Sequence, residues 1–250
     1  MTYCLGMLLE EGLVMMADTR TNAGVDNFSS YRKLHTLAEN EGRQIYACTS
    51  GSLSITQAAL STLAEGIEGE DEDAPLLTLQ TIPTMFQAAQ LVSDVVQATR
   101  QDISVTLAAE RVSTTVSMLL GGRIGNAPPK LYHVYTAGNF IECKPESPFL
   151  QIGETKYGKP ILDRAVDCAT PLAEAVKVAF LSFDSAIRSN LGVAPPIDVM
   201  VMPTDKDRPI VKRRVEPDDP YFADLSQRWH EMLKDARHSI PDPPWMKDVA

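Results

Sequence analysis

The residue with the most chemistry open to it is Thr2, directly after Met1. If Met1 is removed, Thr2 carries a hydroxyl nucleophile and a free α-amine on one residue. An α-amine titrates at about 7.7 to 8.0, so near neutral pH it can take the proton of its own hydroxyl without a histidine. A lysine ammonium nearby would lower the amine's pKa further and stabilise negative charge on the hydroxyl oxygen, and a carboxylate would hold that lysine in place. Lys33 and Asp18 are the candidates for those roles. Further on, Thr49-Ser-Gly-Ser52 leads into a helical pattern. That stretch reads either as an ordinary capped helix start or as a turn whose Gly51 N–H donates to an oxyanion.

These residues need elements to bring them together. Two apolar runs joined at Glu10-Glu11-Gly12 read as a β-hairpin, and a three-residue connection ending in Gly suits a type I turn followed by a left-handed residue. With Leu9 facing Leu13, Thr2 falls opposite Arg20 and near Asp18, all three on one face. The polar stretch from Thr21 to Arg32 reads as a surface loop or ragged strand pair that delivers Lys33. Two strands are expected over 33–37 and 44–49, joined by the charged turn at 38–42. A helix carrying Leu53, Ala59 and Leu63 follows, then the acidic, aperiodic segment 65–73, expected to be a solvated loop.

Apolar residues at helical spacing predict a second helix from Pro83 to about Gln101. Strand character returns over 114–120, 130–135 and 139–143, with turns expected at Gly121-Gly122 and Ala137-Gly138. His133 reads as a packed or exposed side chain. Two helices follow, over 156–167 and 171–189, the latter capped by Thr170 with Pro171 at its first position. A strand pair over 197–202 and 209–213, a helix over 219–237 and a Pro-rich tail complete the chain. Strands, two helices, strands, two helices, strands and a helix fit two stacked, mostly antiparallel sheets flanked by helices, an α+β class. The expected division is a main domain over 1–214 and a C-terminal helix and tail over 215–250, part of that domain or a contact between subunits.

The chain has 250 residues, enough for a sizeable core. Its 23 basic and 33 acidic residues give a net charge of −10, which argues against nucleic-acid and anionic-membrane partners. Cys4, Cys48, Cys143 and Cys168 lie far apart without metal-ligand spacing, so no metal, cofactor or disulfide framework is expected. The N-terminus does not read as a secretory signal, and no apolar run approaches the roughly 18 residues of a membrane span. A cytoplasmic location is the default expectation.

Taken together, Thr2 after Met1, Ala17-Asp18-Thr19-Arg20, Lys33 and Ser50-Gly51 before a helix resemble the proteasome β-subunit family of N-terminal-nucleophile (Ntn) hydrolases. The likeness is stronger still to its bacterial ancestral β-subunit (Anbu) branch. It covers about residues 2 to 202. It implies a four-layer αββα sandwich and a threonine peptidase working within a homo-oligomer, a ring or open spiral, on peptide or unfolded-protein substrates. The same residues leave open an Ntn amidase acting on a small amide, or a noncatalytic scaffold subunit. The identity of any unfoldase partner stays unknown.

Carried over by that resemblance, Thr2 is the nucleophile and its amine the base, Lys33 tunes both, Asp18 orients Lys33, and Gly51 N–H donates to the oxyanion. Arg20 takes the place of a structural arginine beside Asp18. Lys33 lies one position closer to Thr2 than the family spacing, which leaves Arg32 as the alternative. In the supporting cluster, Glu154 stands where the family has a serine. Asp184, Ser185, Ser189 and Asn190 compete for the second supporting place. Thr21, Tyr31, Thr49 and Leu53 correspond to the substrate side-chain pocket.

Overall fold

The computed structural model describes residues 2–22, 28–67, 76–109 and 113–246, which form two compact units, 1–217 and 218–250. Within the first, the strands in chain order are β1 (Tyr3–Leu9), β2 (Gly12–Asp18), β3 (Arg20–Asn22), β4 (Phe28–Ser30), β5 (Leu34–Asn40) and β6 (Arg43–Gly51). Helices α1 (Leu53–Glu65) and α2 (Met85–Ala109) follow, then β7 (Val116–Ile124), β8 (Lys130–Val134), β9 (Phe140–Glu142) and β10 (Phe149–Gly153). Helices α3 (Lys159–Ala165) and α4 (Leu172–Ser189) lead into β11 (Ile197–Pro203) and β12 (Val211–Val215). One antiparallel sheet runs β10-β1-β2-β11-β12, the other β5-β6-β7-β8-β9, and β3 pairs with β4 apart from both.

Three apolar interfaces produce the layers. Between the sheets pack Cys4, Leu13, Met15, Ala17, Cys48, Leu119, Leu131 and Met200. Alternate residues of the second sheet, such as Ile45, Ala47, Met118 and Leu120, turn outward onto Ile55, Ala59, Ala88 and Val92 of α1 and α2. On the first sheet, α4 covers β1 and β2, with the Tyr3 and Phe183 rings 4.5 Å apart. Both middle layers are therefore covered on two faces, which is why β2 can read Leu13-Val-Met-Met-Ala17 without a polar alternation. The result is the αββα sandwich expected of an Ntn-hydrolase fold.

Several local expectations change. The hairpin pairs Leu8 with Leu13 and Leu9 with Gly12, one position away from the expected register, so its turn holds only Glu10 and Glu11. Gly12 is therefore a strand residue, and its lack of a side chain serves a close approach: a Cβ there would sit 2.2 Å from the Met202 carbonyl oxygen. Tyr3, not Thr2, now takes the β1 position nearest Asp18 in the ladder direction, so the expected common face of Thr2, Asp18 and Arg20 is not formed.

Gly121-Gly122 lies inside β7 and not at a turn. A Cβ on Gly121 would meet the Met15 sulfur at 2.6 Å and Leu13 Cδ2 at 2.9 Å, so these side chains of the facing sheet pack directly onto the glycine. Pro171, with extended backbone, occupies the cap position of α4 in place of Thr170. The Leu172 N–H instead donates to the Glu11 carboxylate of the hairpin turn at 3.0 Å. The strand β10, absent from the expected elements, supplies the outer neighbour of β1. Of the acidic segment 65–73, residues 68–73 lie outside the described residues, as do 23–27 of the expected loop.

The second unit contains α5 (Pro220–Ser239), whose Asp219 cap accepts the Phe222 N–H at 3.1 Å, and a 3-10 turn over Pro244–Met246. Met232, Leu233, Ile240 and Trp245 are exposed there. Among the described residues, no helix is long and apolar enough to cross a membrane.

Candidate active site

Thr2 lies at the head of β1, 8% exposed, between two neighbours of the sheet. On one side its carbonyl accepts the Glu154 N–H at 2.6 Å, immediately beyond β10. On the other, the Tyr3 N–H donates to Asp18 Oδ1 at 2.8 Å, tying the residue after Thr2 to the end of β2. Cys4 Sγ reaches the Thr49 carbonyl across the sheets at 3.7 Å, so the head of β1 is also linked to the end of β6.

Lys33, at the entrance to β5, extends its ammonium to Asp18 Oδ1 at 2.7 Å and to the Arg20 carbonyl at 2.5 Å. The side chains of Lys33 and Asp18 are 6% and 0% exposed, which makes this a buried ion pair. Burial raises the Asp18 pKa above its ordinary value, while the Lys33 charge and its hydrogen bond draw it back. The backbone of Ala194 pulls in the same direction as Lys33, although Oδ2 makes no well-formed hydrogen bond. Arg32 is directed elsewhere, 3.9 Å from Asp198 with its side chain 66% exposed, so Lys33 and not Arg32 meets Asp18.

Arg20 contributes its carbonyl to Lys33, while its guanidinium donates to the Leu191 carbonyl at 2.9 Å. Gly51 ends β6 with φ +105, and a Cβ on it would lie 2.0 Å from the Thr115 carbonyl oxygen. Only glycine fits that combination of backbone angle and close approach. The following Ser52 N–H is spent on Thr115 O at 2.8 Å.

Among the expected pocket residues, Thr49 donates its N–H to the Lys33 carbonyl at 3.0 Å, and its hydroxyl lies 3.3 Å from His35 Nε2. Thr21 is half-buried on β3, Tyr31 is 42% exposed with its N–H on the Thr19 carbonyl, and Leu53 opens α1 two residues after Gly51. Of the candidates for the second supporting place, Asp184 accepts from Arg188 one turn along α4. Ser189 lines a cavity that Gly153 and Glu154 also line.

Two features escaped the sequence. The Glu154 carboxylate is buried, taking the Lys156 and Tyr157 N–H groups on one oxygen at 2.6 and 3.2 Å and the Asn190 amide on the other at 2.7 Å. Burial alone would raise its pKa, but those donors outweigh it and hold the carboxyl below the usual range. Asn190 had been one of four competing positions, and nothing in local spacing could have paired it with Glu154 at a separation of 36 residues. The second is an anchor at Tyr3, the residue after Thr2. Tyr3 places its hydroxyl 2.6 Å from Ser182 Oγ and accepts from Gln151 at 2.7 Å, and Ser182 in turn donates to Gly158 O at 2.9 Å.

Among the described residues, no group of three or more His, Cys, Asp or Glu is placed to hold a metal ion. The arrangement offers instead a hydroxyl residue at a strand head, a buried ammonium fixed by a carboxylate, and a glycine main chain at the start of a helix. Those are the groups that acyl transfer through an N-terminal residue would use.

Comparison with known proteins shows the family. The family model described as Proteasome subunit matches residues 2–202. Anbu (ancestral β-subunit) from Yersinia bercovieri is 36% identical, covering 96% of this chain and 99% of its own, with a TM-score of 0.84. A Gly-1 mutant of Anbu from Hyphomicrobium sp. strain MC1 is 40% identical over 97% of this chain and 99% of its own, with a TM-score of 0.85. The helical assembly of the Anbu complex from Pseudomonas aeruginosa is 39% identical over 97% and 98%, with a TM-score of 0.88. No curated protein matches the chain in sequence.

Proposed function

Because the chain belongs to the proteasome subunit family, in its Anbu branch, we propose that it is a threonine peptidase hydrolysing peptide bonds through Thr2 within a homo-oligomer. The observation that carries this reading is the buried Lys33–Asp18 pair beside the head of β1. A buried ion pair is costly to maintain and is weak evidence for stability, so its position next to a terminal hydroxyl residue favours a chemical role.

Removal of Met1 gives Thr2 its free amine. The amine takes the Thr2 hydroxyl proton as the oxygen attacks the scissile carbonyl, and the Lys33 ammonium offsets the charge gathering on that oxygen. The Gly51 N–H receives the new oxyanion. The amine then passes its proton to the departing nitrogen, leaving an ester on Thr2. Water, deprotonated by the same amine, attacks the ester; the acyl part leaves as a carboxylic acid while the amine returns the proton to the Thr2 oxygen, restoring the hydroxyl. Asp18 holds Lys33 in place throughout.

Association of copies, as an open spiral or a ring, is supported by the helical assembly of the P. aeruginosa relative. The exposed apolar residues of α5, with Met232 63% and Leu233 49% exposed, give the C-terminal unit a surface for contact between subunits. A cytoplasmic location accompanies this reading.

The test uses protein whose N-terminus has been verified by mass to begin at Thr2. Fluorogenic peptides should be hydrolysed, and Thr2→Ala should reduce the rate at least about a thousandfold while the particle size measured by light scattering stays the same. Undiminished hydrolysis by Thr2→Ala would remove Thr2 as nucleophile. Turnover of small acyl amides alone would replace the peptidase reading with an amidase.

A further inference from the structure

We infer that the cavity beside Thr2 receives the leaving part of the substrate, and that Lys156 makes it select leaving peptides carrying a carboxylate one or two residues beyond the scissile bond. This rests on the peptidase reading of Thr2 given above.

The sheet order fixes which side of the nucleophile is which. β1 has β2 on one edge and β10 on the other. Of the candidate acyl-side residues, Thr21 follows β2 on β3, while Thr49 and Leu53 belong to β6 and α1 of the facing layers. With the acyl part of a substrate toward Thr21, the departing nitrogen faces the β10 edge. A cavity of about 520 Å³ lies on that edge, lined in part by Gly153, Glu154, Lys156, Ser189 and Asn190. That volume falls within the range of ligand sites. Two of its lining residues adjoin Thr2: the Glu154 N–H donates to the Thr2 carbonyl at 2.6 Å, and Gly153 is close enough that a Cβ built on it would stand 3.0 Å from Thr2 Cβ.

The charges in the cavity are not balanced in their availability. The Glu154 carboxylate is 5% exposed, and three donors, the Lys156 and Tyr157 N–H groups and the Asn190 amide, occupy its oxygens. The Lys156 side chain is exposed and makes no ion pair among the described residues. A ligand entering here meets a satisfied anion in the floor and an available ammonium at the side. A carboxylate is the group that ammonium would hold, supplied either by an Asp or Glu side chain or by the C-terminus of a short leaving peptide. The chain's net charge of −10 disfavours anions in general, which makes a locally available lysine beside the nucleophile more discriminating.

The experiment compares internally quenched peptides that share one acyl half and differ only after the cleaved bond. The leaving dipeptides are Ala-Ala with a free carboxylate, Ala-Ala amide, Ala-Asp amide and Ala-Lys amide. We expect kcat/KM for the free-carboxylate and Asp forms to exceed that for the neutral amide about two- to fivefold at low salt, the range an exposed ion pair supports. The preference should shrink in high salt. Comparing the Asp amide with the free carboxylate tells which source of carboxylate fits better. Lys156→Gln should bring the ratios to about one, and Lys156→Glu should favour the Lys form. Equal rates for all four peptides, or ratios unchanged in Lys156→Gln, would overturn the inference.

A peptide bearing an aminocoumarin leaving group, run on the unsubstituted protein, reports whether hydrolysis occurs at all. If it does not, the peptidase reading fails, and direct binding of Ala-Asp and its uncharged counterpart Ala-Asn, followed by NMR, still decides the cavity. Tighter binding of Ala-Asp that is lost in Lys156→Gln supports it, and equal binding of the two counts against it.

Discussion

Lys33 gives its ammonium to Asp18 at 2.7 Å where the two side chains are almost wholly withdrawn from water. Each charge is tolerated there because the other is present. Lys33→Met should therefore leave the Asp18 carboxylate buried and unpaired and lower stability by about 3 kcal/mol. The double variant Lys33→Met with Asp18→Asn removes both charges and should recover most of that loss while staying inactive. Urea denaturation of the three proteins, alongside peptide hydrolysis, checks both halves. Full stability of Lys33→Met would contradict the burial argument.

The rate should depend on pH in a defined direction. The Thr2 amine is a base only when unprotonated, so kcat/KM should rise between pH 6 and 8 as it loses its proton. Burial raises the Asp18 pKa, so protonation of its carboxylate should weaken the hold on Lys33 at a higher pH than for an ordinary aspartate, adding to the fall on the acid side. A profile that stays level from pH 6 to 9 would argue against an amine base.

Gly153 has φ +82, and a Cβ there would approach the Thr2 carbonyl oxygen to 2.2 Å. Gly153→Ala should cost about 2 kcal/mol or more and lower hydrolysis by displacing the head of β1. Gly125, with φ +60 and nothing within 4 Å of a built Cβ, is the comparison. Gly125→Ala should cost about 1 kcal/mol from backbone strain alone and leave the rate unchanged.

His133 lies with Nε2 2.5 Å from Ser117 Oγ, and burial pushes its pKa down to about 4 from 6.5. A depressed folded pKa means that stability is fully present above pH 6.5 and falls as the unfolded chain takes up protons toward pH 4. His133→Asn should lose less stability over that window than the unsubstituted chain, as measured by urea denaturation at several pH values. His35, whose pKa burial and Arg32 also lower, leaves part of the loss in place.

The fold class and most elements are legible in the sequence because their cause is local. Leu53 to Glu65 shows its helical period, and the alternation in Gln44 to Thr49 survives in β6, with Ile45 and Ala47 toward the helices and Tyr46 and Cys48 toward the other sheet. The hairpin register is a different matter. Residues of β1 and β2 are buried on both faces, so a shift by one position places an apolar residue against an apolar environment either way, and alternation cannot choose. The Gly121-Gly122 pair misleads because its causes lie on other strands: side-chain ends of the facing sheet crowd Gly121, and the Gln44 carbonyl crowds Gly122. Thr2, Asp18 and Lys33 are readable as a set, yet the Glu154–Asn190 contact and the Tyr3–Ser182 anchor join residues whose separation hides them from any local pattern.

Thr2 is held by its carbonyl, on the Glu154 N–H, and through the amide of Tyr3, on Asp18. Neither bond involves the amide nitrogen that links Thr2 to Met1. Under the proposed reading, the scaffold can thus be completed while Thr2 is still blocked, and removing Met1 would break one covalent link without removing either of these restraints. Architecture would then precede reactivity: a subunit that keeps Met1 would be shaped but inert, and the trimming of that residue would set the moment at which it becomes a catalyst.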